Sequence, residues 1–121
     1  MPTDNPFKGR RILVVDDEER MVRFIRLNLE HDGFRVTDAY NGTQAINKVR
    51  SSLPDMVLLD VMMPDLDGFE VLKIIREVSS VPVIMLTAKG EEDVIIARAP
   101  TRAAAWFEAC RMAEWLHSQE D

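Results

Sequence analysis

The feature that most constrains this chain is the run Met56-Val57-Leu58-Leu59-Asp60, four consecutive apolar residues that stop at a single carboxylate. Successive strand residues point to opposite faces, so a run that is apolar at every position has to be covered on both. That is the position of a central strand in a parallel sheet with helices on either side. An ionised Asp is costly to bury without a partner, so Asp60 belongs at the strand's C-terminal end, where open α/β sheets collect ligands in a crevice. Pro64 then turns the chain away.

Two further runs have the same character. Ile12-Leu13-Val14-Val15 ends in Asp16, Asp17, Glu18 and Glu19. Those acids suit the first turn of a helix, where they favour the dipole. They equally suit a second strand that points carboxylates at the crevice of Asp60, and two acid-tipped buried strands weigh toward that reading. Val81-Pro82-Val83-Ile84-Met85-Leu86 is a third buried strand, with its proline at the start where it costs least, and it ends in Thr87-Ala88-Lys89-Gly90.

Between these strands the apolar period changes from 2 to 3.6. Val22, Ile25 and Leu29 mark a helix over Met21 to Glu30, with Gly33 placed as its C-terminal glycine. Phe34 to Asp38 alternates and reads as an outer strand. Asn41-Gly42 reads as a turn before a helix carrying Ala45, Ile46 and Val49, which stops before Ser51-Ser52-Leu53-Pro54. Asp65-Leu66-Asp67-Gly68 leads into a helix with Val71, Leu72, Ile75 and Val78 on its apolar side. Alternating strands and helices predict an α/β fold, a doubly wound parallel sheet. At 121 residues the chain is one domain's worth, with residues 1–9 as a loose leader.

Composition excludes several function classes. With 46% hydrophobic and 30% charged residues the chain has an ordinary soluble globular make-up. It holds no membrane-length apolar run and no signal-peptide pattern, so a cytoplasmic location without a membrane partner is expected. Cys110 is the lone cysteine and His31 and His117 are the two histidines, which leaves no internal disulfide and no zinc-type ligand set. A net charge of -6 argues against direct nucleic-acid binding. Any DNA-binding output would belong to a partner or to a domain outside this chain.

Three carboxylates at one sheet end need a cation, because two like charges about 4 Å apart repel by roughly 4 kcal/mol at an effective dielectric of 20. Hard oxygen ligands with room for water suit Mg²⁺. Asp60 is then placed as a nucleophile able to accept a phosphoryl group as an acyl phosphate. The hydroxyl of Thr87 either donates to a phosphoryl oxygen or simply closes a strand.

Val14-Val15-Asp16-Asp17-Glu18, the run Leu58 to Gly68 and Pro82-Val83-Ile84-Met85-Leu86-Thr87-Ala88 together resemble the receiver domain of bacterial two-component response regulators. The resemblance covers roughly Arg11 to Asp93. It implies a flavodoxin-like strand order, phosphorylation of Asp60 by a histidine kinase, and Mg²⁺ held by Asp16, Asp17, Asp60 and the backbone carbonyl of Met62. It also implies that Thr87 is the switch hydroxyl, with Ala88 giving it room.

After about Asp93 the resemblance fails. Receivers continue through a fourth helix to a fifth strand ending in Lys-Pro, whose lysine contacts the phosphoryl group, and no lysine follows Lys89 here. In one reading Glu91 to Ala99 begins the fourth helix, the fifth strand is absent, and the strand ending at Leu86 becomes an edge. An exposed apolar edge invites a homodimer or segment exchange, there or through the helix expected over about 101–117 that carries Trp106 and Trp115. In the other reading Val94 to Ala97 is itself the fifth strand, which brings Arg98 toward the place of the lysine, with Lys89 as a third candidate cation. A frameshifted or engineered origin for 94–121 also stays open.

The leading expectation is a phospho-accepting receiver, not an enzyme in the usual sense. The alternative is a degenerate receiver that works as a protein-interaction module without a phosphorylation switch. A Mg²⁺-dependent phosphatase is a third reading, and a weak one, since Asp65-Leu66-Asp67-Gly68 follows a proline turn rather than ending a strand.

Overall fold

The computed structural model describes residues 6–60, 63, 67–86 and 94–97. Their elements run β1 (Arg11–Val15), α1 (Glu19–His31), β2 (Arg35–Ala39), α2 (Gly42–Ser52), β3 (Met56–Asp60), α3 (Gly68–Val78), β4 (Val83–Leu86) and β5 (Val94–Ala97). The strands form one sheet in the order β2-β1-β3-β4-β5. β1 to β4 are parallel, in the flavodoxin-like order.

Both faces of the sheet are buried, as the apolar runs require. Leu13 and Val15 of β1, Val57 and Leu59 of β3, and Val83 and Met85 of β4 face one way, onto Ala45 and Val49 of α2 and Val71 and Ile75 of α3. Ile12, Val14, Met56, Leu58 and Ile84 face the other way, with Leu29 of α1 and with Phe7, Phe34 and Val36. Each fully buried Val, Leu or Ile contributes about 1.5–3 kcal/mol relative to exposure. β2 is the outer strand expected, and Arg26 of α1 ties it down through Asp38 (2.6 Å) while also bonding Glu30 (3.0 Å).

The helix ends follow local chemistry. α1 closes with Gly33 at φ +100, where Gly33 N–H donates to the Glu30 carbonyl and Phe34 N–H to that of Leu29. This is a Schellman arrangement, and Leu29 and Phe34 make its apolar contact. The turn expected at Asn41-Gly42 is the helix start itself: Asn41 Oδ1 accepts from Gln44 N–H, and Gln44 Oε1 from Tyr40 N–H. α2 ends on Leu53, the one described non-glycine residue at positive φ (49°), with its side chain 68% exposed.

Two expectations are corrected. The leader is not loose where it is described: Phe7 is buried, Gly9 N–H donates to the Gly33 carbonyl at 2.8 Å, and Arg10 N–H donates to that of Phe7. Phe7 joins the apolar cluster of Leu29, Phe34 and Val36, and burial of its ring supplies the reason. Of the two readings of 94–97 the helix fails and the fifth strand holds: β5 pairs antiparallel with β4, Leu86 opposite Val94 and Val83 opposite Ala97. Seven residues, 87–93, join the two strands. A parallel crossover needs a dozen or more, so the only pairing open to this segment is antiparallel. β4 is therefore an inner strand, and the edge that motivated a homodimer or segment exchange is covered. The helix expected at 101–117, with Trp106 and Trp115, lies outside the described residues. Among the described residues no helix is long and apolar enough to cross a membrane.

Two substitutions should move stability in opposite directions. Gly33→Ala is expected to cost about 1–2 kcal/mol, because φ +100 suits only glycine and the new Cβ would lie 2.9 Å from Lys8 Cγ. Leu53→Gly or Leu53→Asn is expected to stabilise by about 1 kcal/mol by relieving left-handed strain. Urea unfolding midpoints at constant m-value check both.

Candidate functional site

The site is built by register. Val15 of β1 lies opposite Leu59 of β3, so the next residue of each strand, Asp16 and Asp60, is carried out of the core side by side. Strand spacing is about 4.8 Å, and alternation puts both side chains on one face. Asp17 follows where β1 leaves the sheet. Carboxylate oxygens of Asp16, Asp17 and Asp60 all lie within 4.8 Å of one another. Asp16 and Asp60 are half-buried and Asp17 is exposed.

The backbone holds this cluster. Asp16 N–H donates to the Ala39 carbonyl of β2 at 3.1 Å, extending the ladder one residue beyond β1. Asp16 Oδ1 accepts from Glu18 N–H at 2.9 Å, which fixes the carboxylate over the start of α1. The pKa of the Asp16 carboxyl is raised above its ordinary value. Burial is the main cause, opposed by the Glu18 N–H bond and reinforced by the neighbouring charges of Asp60, Asp17 and Glu18. Such a set of hard oxygen donors fits a small divalent cation, which would reverse that electrostatic penalty.

Other parts of the rim were less legible in sequence. Asp67 is the N-cap of α3, accepting from Phe69 N–H (2.8 Å) and Glu70 N–H (3.0 Å). An Asp-Gly pair before an apolar helical period is a start signal, in line with the helix expected after Asp65-Leu66-Asp67-Gly68. Met63 is buried in the α2–α3 face of the core. Leu86 lies opposite Asp60, so β4 ends at the same edge of the sheet as the carboxylates. Met62, Thr87, Ala88, Lys89 and Arg98 lie outside the described residues.

Comparison with known proteins finds a match to the family model described as the response regulator receiver domain, over residues 12–106. The chain is 51% identical over 82 residues to the transcriptional regulatory protein ResD of Bacillus subtilis, covering 68% of this chain and 34% of that protein. It is 48% identical over 85 residues to the alkaline phosphatase synthesis transcriptional regulatory protein PhoP of the same organism, covering 69% and 35%. The match thus spans about a third of the length of these curated relatives. Among solved structures, the receiver domain of a Francisella response regulator superposes with a TM-score of 0.63 at 34% identity, over 69% of this chain and 70% of that one. The response regulator TrrA of Thermotoga maritima, solved in complex with Mg²⁺-BeF, superposes with a TM-score of 0.63 at 38% identity, over 67% and 71%.

Crowding of the carboxylates has a measurable consequence in metal-free protein. Asp16→Asn keeps an oxygen to accept from Glu18 N–H but removes a charge from the cluster. It is expected to stabilise the chain by on the order of 1 kcal/mol in EDTA, read as a rise in thermal midpoint. An unchanged or lowered midpoint would show that the three charges do not oppose folding.

Proposed function

This chain belongs to the response regulator receiver domain family, and on that basis we propose that Asp60 is its phospho-acceptor, phosphorylated by a histidine kinase in a Mg²⁺-dependent reaction. The family's part in two-component systems is phospho-accepting signal transduction. The observation that carries the finer reading is the cluster of Asp16, Asp17 and Asp60 at the C-terminal edge of a parallel sheet.

An oxygen of the Asp60 carboxylate attacks phosphorus, the bond from phosphorus to the donor's histidine nitrogen breaks, and that nitrogen keeps the electron pair and takes up a proton. Asp60 stands at the end of a buried strand, so its carboxylate is held in place before the donor arrives. Asp16 and Asp17, with the Met62 backbone carbonyl, are the residues that would hold Mg²⁺. When bound, the metal supplies neutralisation of charge on the transferring oxygens. Thr87 follows β4 directly and is proposed as the switch hydroxyl.

For the cation that contacts the phosphoryl group, strand direction supports Lys89 over Arg98. β5 runs away from the carboxylates and reaches Ala97 opposite Val83, three residues or about 10 Å from the Leu86 level. β4 ends at Leu86 and β5 begins at Val94, both at the Asp60 level of the sheet, and Lys89 falls between them in sequence. A DNA-binding or other output domain is proposed to lie outside this chain, as the shared third of the curated relatives suggests.

Intact-protein mass after incubation with Mg²⁺ and a small phosphoryl donor tests the reading. One added phosphoryl group is expected in the unaltered chain, none in Asp60→Ala or in EDTA, and a lower yield in Lys89→Ala than in Arg98→Ala. No gain in the unaltered, folded protein would favour the interaction module without a switch.

A further inference from the structure

The end of the sheet remote from the carboxylates carries opposite charge. β1 begins with Arg11 and ends one residue before Asp16, about 17 Å away at 3.3 Å per residue. In the parallel register Arg11 lies opposite Arg35 of β2, so two arginines start neighbouring strands side by side. Alternation puts both on the face of Leu13, Val15 and Ala39, the face that α2 covers, and Thr37 follows Arg35 on that same face. The last turn of α2 stops at Ser51 and Ser52. Between helix end and strand starts lies an open cavity of about 350 Å³, lined by Arg11, Arg35, Val36, Thr37, Ser51 and Ser52.

The charged residues lining this cavity are Arg11 and Arg35, in a chain of net charge -6. Arg11 Nη1 donates to the Ser52 carbonyl at 3.4 Å, which holds the guanidinium over the cavity wall. Among the described residues no carboxylate forms an ion pair with either Arg11 or Arg35. Of α2, only Ser51 and Ser52 line the cavity, and the helix carries no acid. The nearby Asp55 carboxylate is engaged by the Arg11 backbone N–H at 2.8 Å. Ser52 Oγ donates to the Lys48 carbonyl at 2.7 Å, which leaves the guanidinium forks and the hydroxyls of Thr37 and Ser51 as the donors around the space.

We propose that this cavity binds a small phosphomonoester, its phosphate held by Arg11 and Arg35 with Thr37 and Ser51, and its organic part against the arginine stems. Two planar forks on adjacent strands suit a tetrahedral oxyanion. The cavity exceeds a bare phosphate and lies at the small end of ligand pockets. The site is separate from the carboxylate cluster, and its charge makes it blind to Mg²⁺.

The test is an amide-resolved NMR titration of the full chain in EDTA, with inorganic phosphate in one arm and phenyl phosphate in the other, at ionic strength matched with sodium chloride. Saturable shifts at Thr37, Ser51 and Ser52 are expected, tighter for phenyl phosphate, with Asp16, Asp17 and Asp60 unmoved. Arg35→Gln, at an exposed position, should weaken binding about tenfold or more, and Arg35→Lys should fall between. Shifts reproduced by chloride alone, or equally strong in Arg35→Gln, would overturn the site. Equal affinity for the two probes would overturn the part assigned to the organic group.

Discussion

Pairing of β1 with β3 is the contact on which the rest of this molecule depends. Val15 opposite Leu59 is a packing relation between two apolar residues, and it sets where two carboxylates must emerge. A slip of one residue would turn every side chain of β1 to the other face and separate Asp16 from Asp60. Since both faces are buried against helices or other apolar residues, such a slip would expose or strand several fully buried side chains at once. The geometry of the acidic cluster is therefore held by the hydrophobic core beneath it, which is why mutually repelling charges can persist at one sheet edge.

The same parallel arrangement segregates charge. Parallel strands all begin at one edge and all end at the other, so a strand with arginines at its start and aspartates at its end contributes to two opposite poles. β1, bounded by Arg10-Arg11 and Asp16-Asp17, does this within one short segment. An antiparallel sheet would have interleaved those charges. Here one edge suits a divalent cation and the other an oxyanion, a consequence of strand direction acting on ordinary strand-end residues.

Most of the architecture was legible in sequence. Runs such as Met56 to Leu59 and Ile12 to Val15 are apolar on both pleat faces, which leaves few places but the centre of a parallel sheet. Periodicity located α1, α2 and α3, and Gly33 marked the end of α1. Legibility was poorer at Asn41-Gly42, where the residues that make turns are also those that cap helices. Phe7 was misread because a lone aromatic in a short proline-bearing leader carries no period to show which surface it covers.

Sequence by itself determined the parallel core, the acid-tipped strands and the family, because these rest on local apolar patterning and on motifs contiguous in the chain. The direction of β5 was implicit in the seven-residue link before it, yet a four-residue apolar run such as Val94 to Ala97, though β-branched and suited to a strand, has no inherent direction until a neighbouring strand supplies its hydrogen bonds. The 4.8 Å gathering of Asp16, Asp17 and Asp60 and the facing of Arg11 and Arg35 across the α2 end were decided only by tertiary structure. Both depend on inter-strand register, a relation between residues distant in the chain that side-chain packing alone can select.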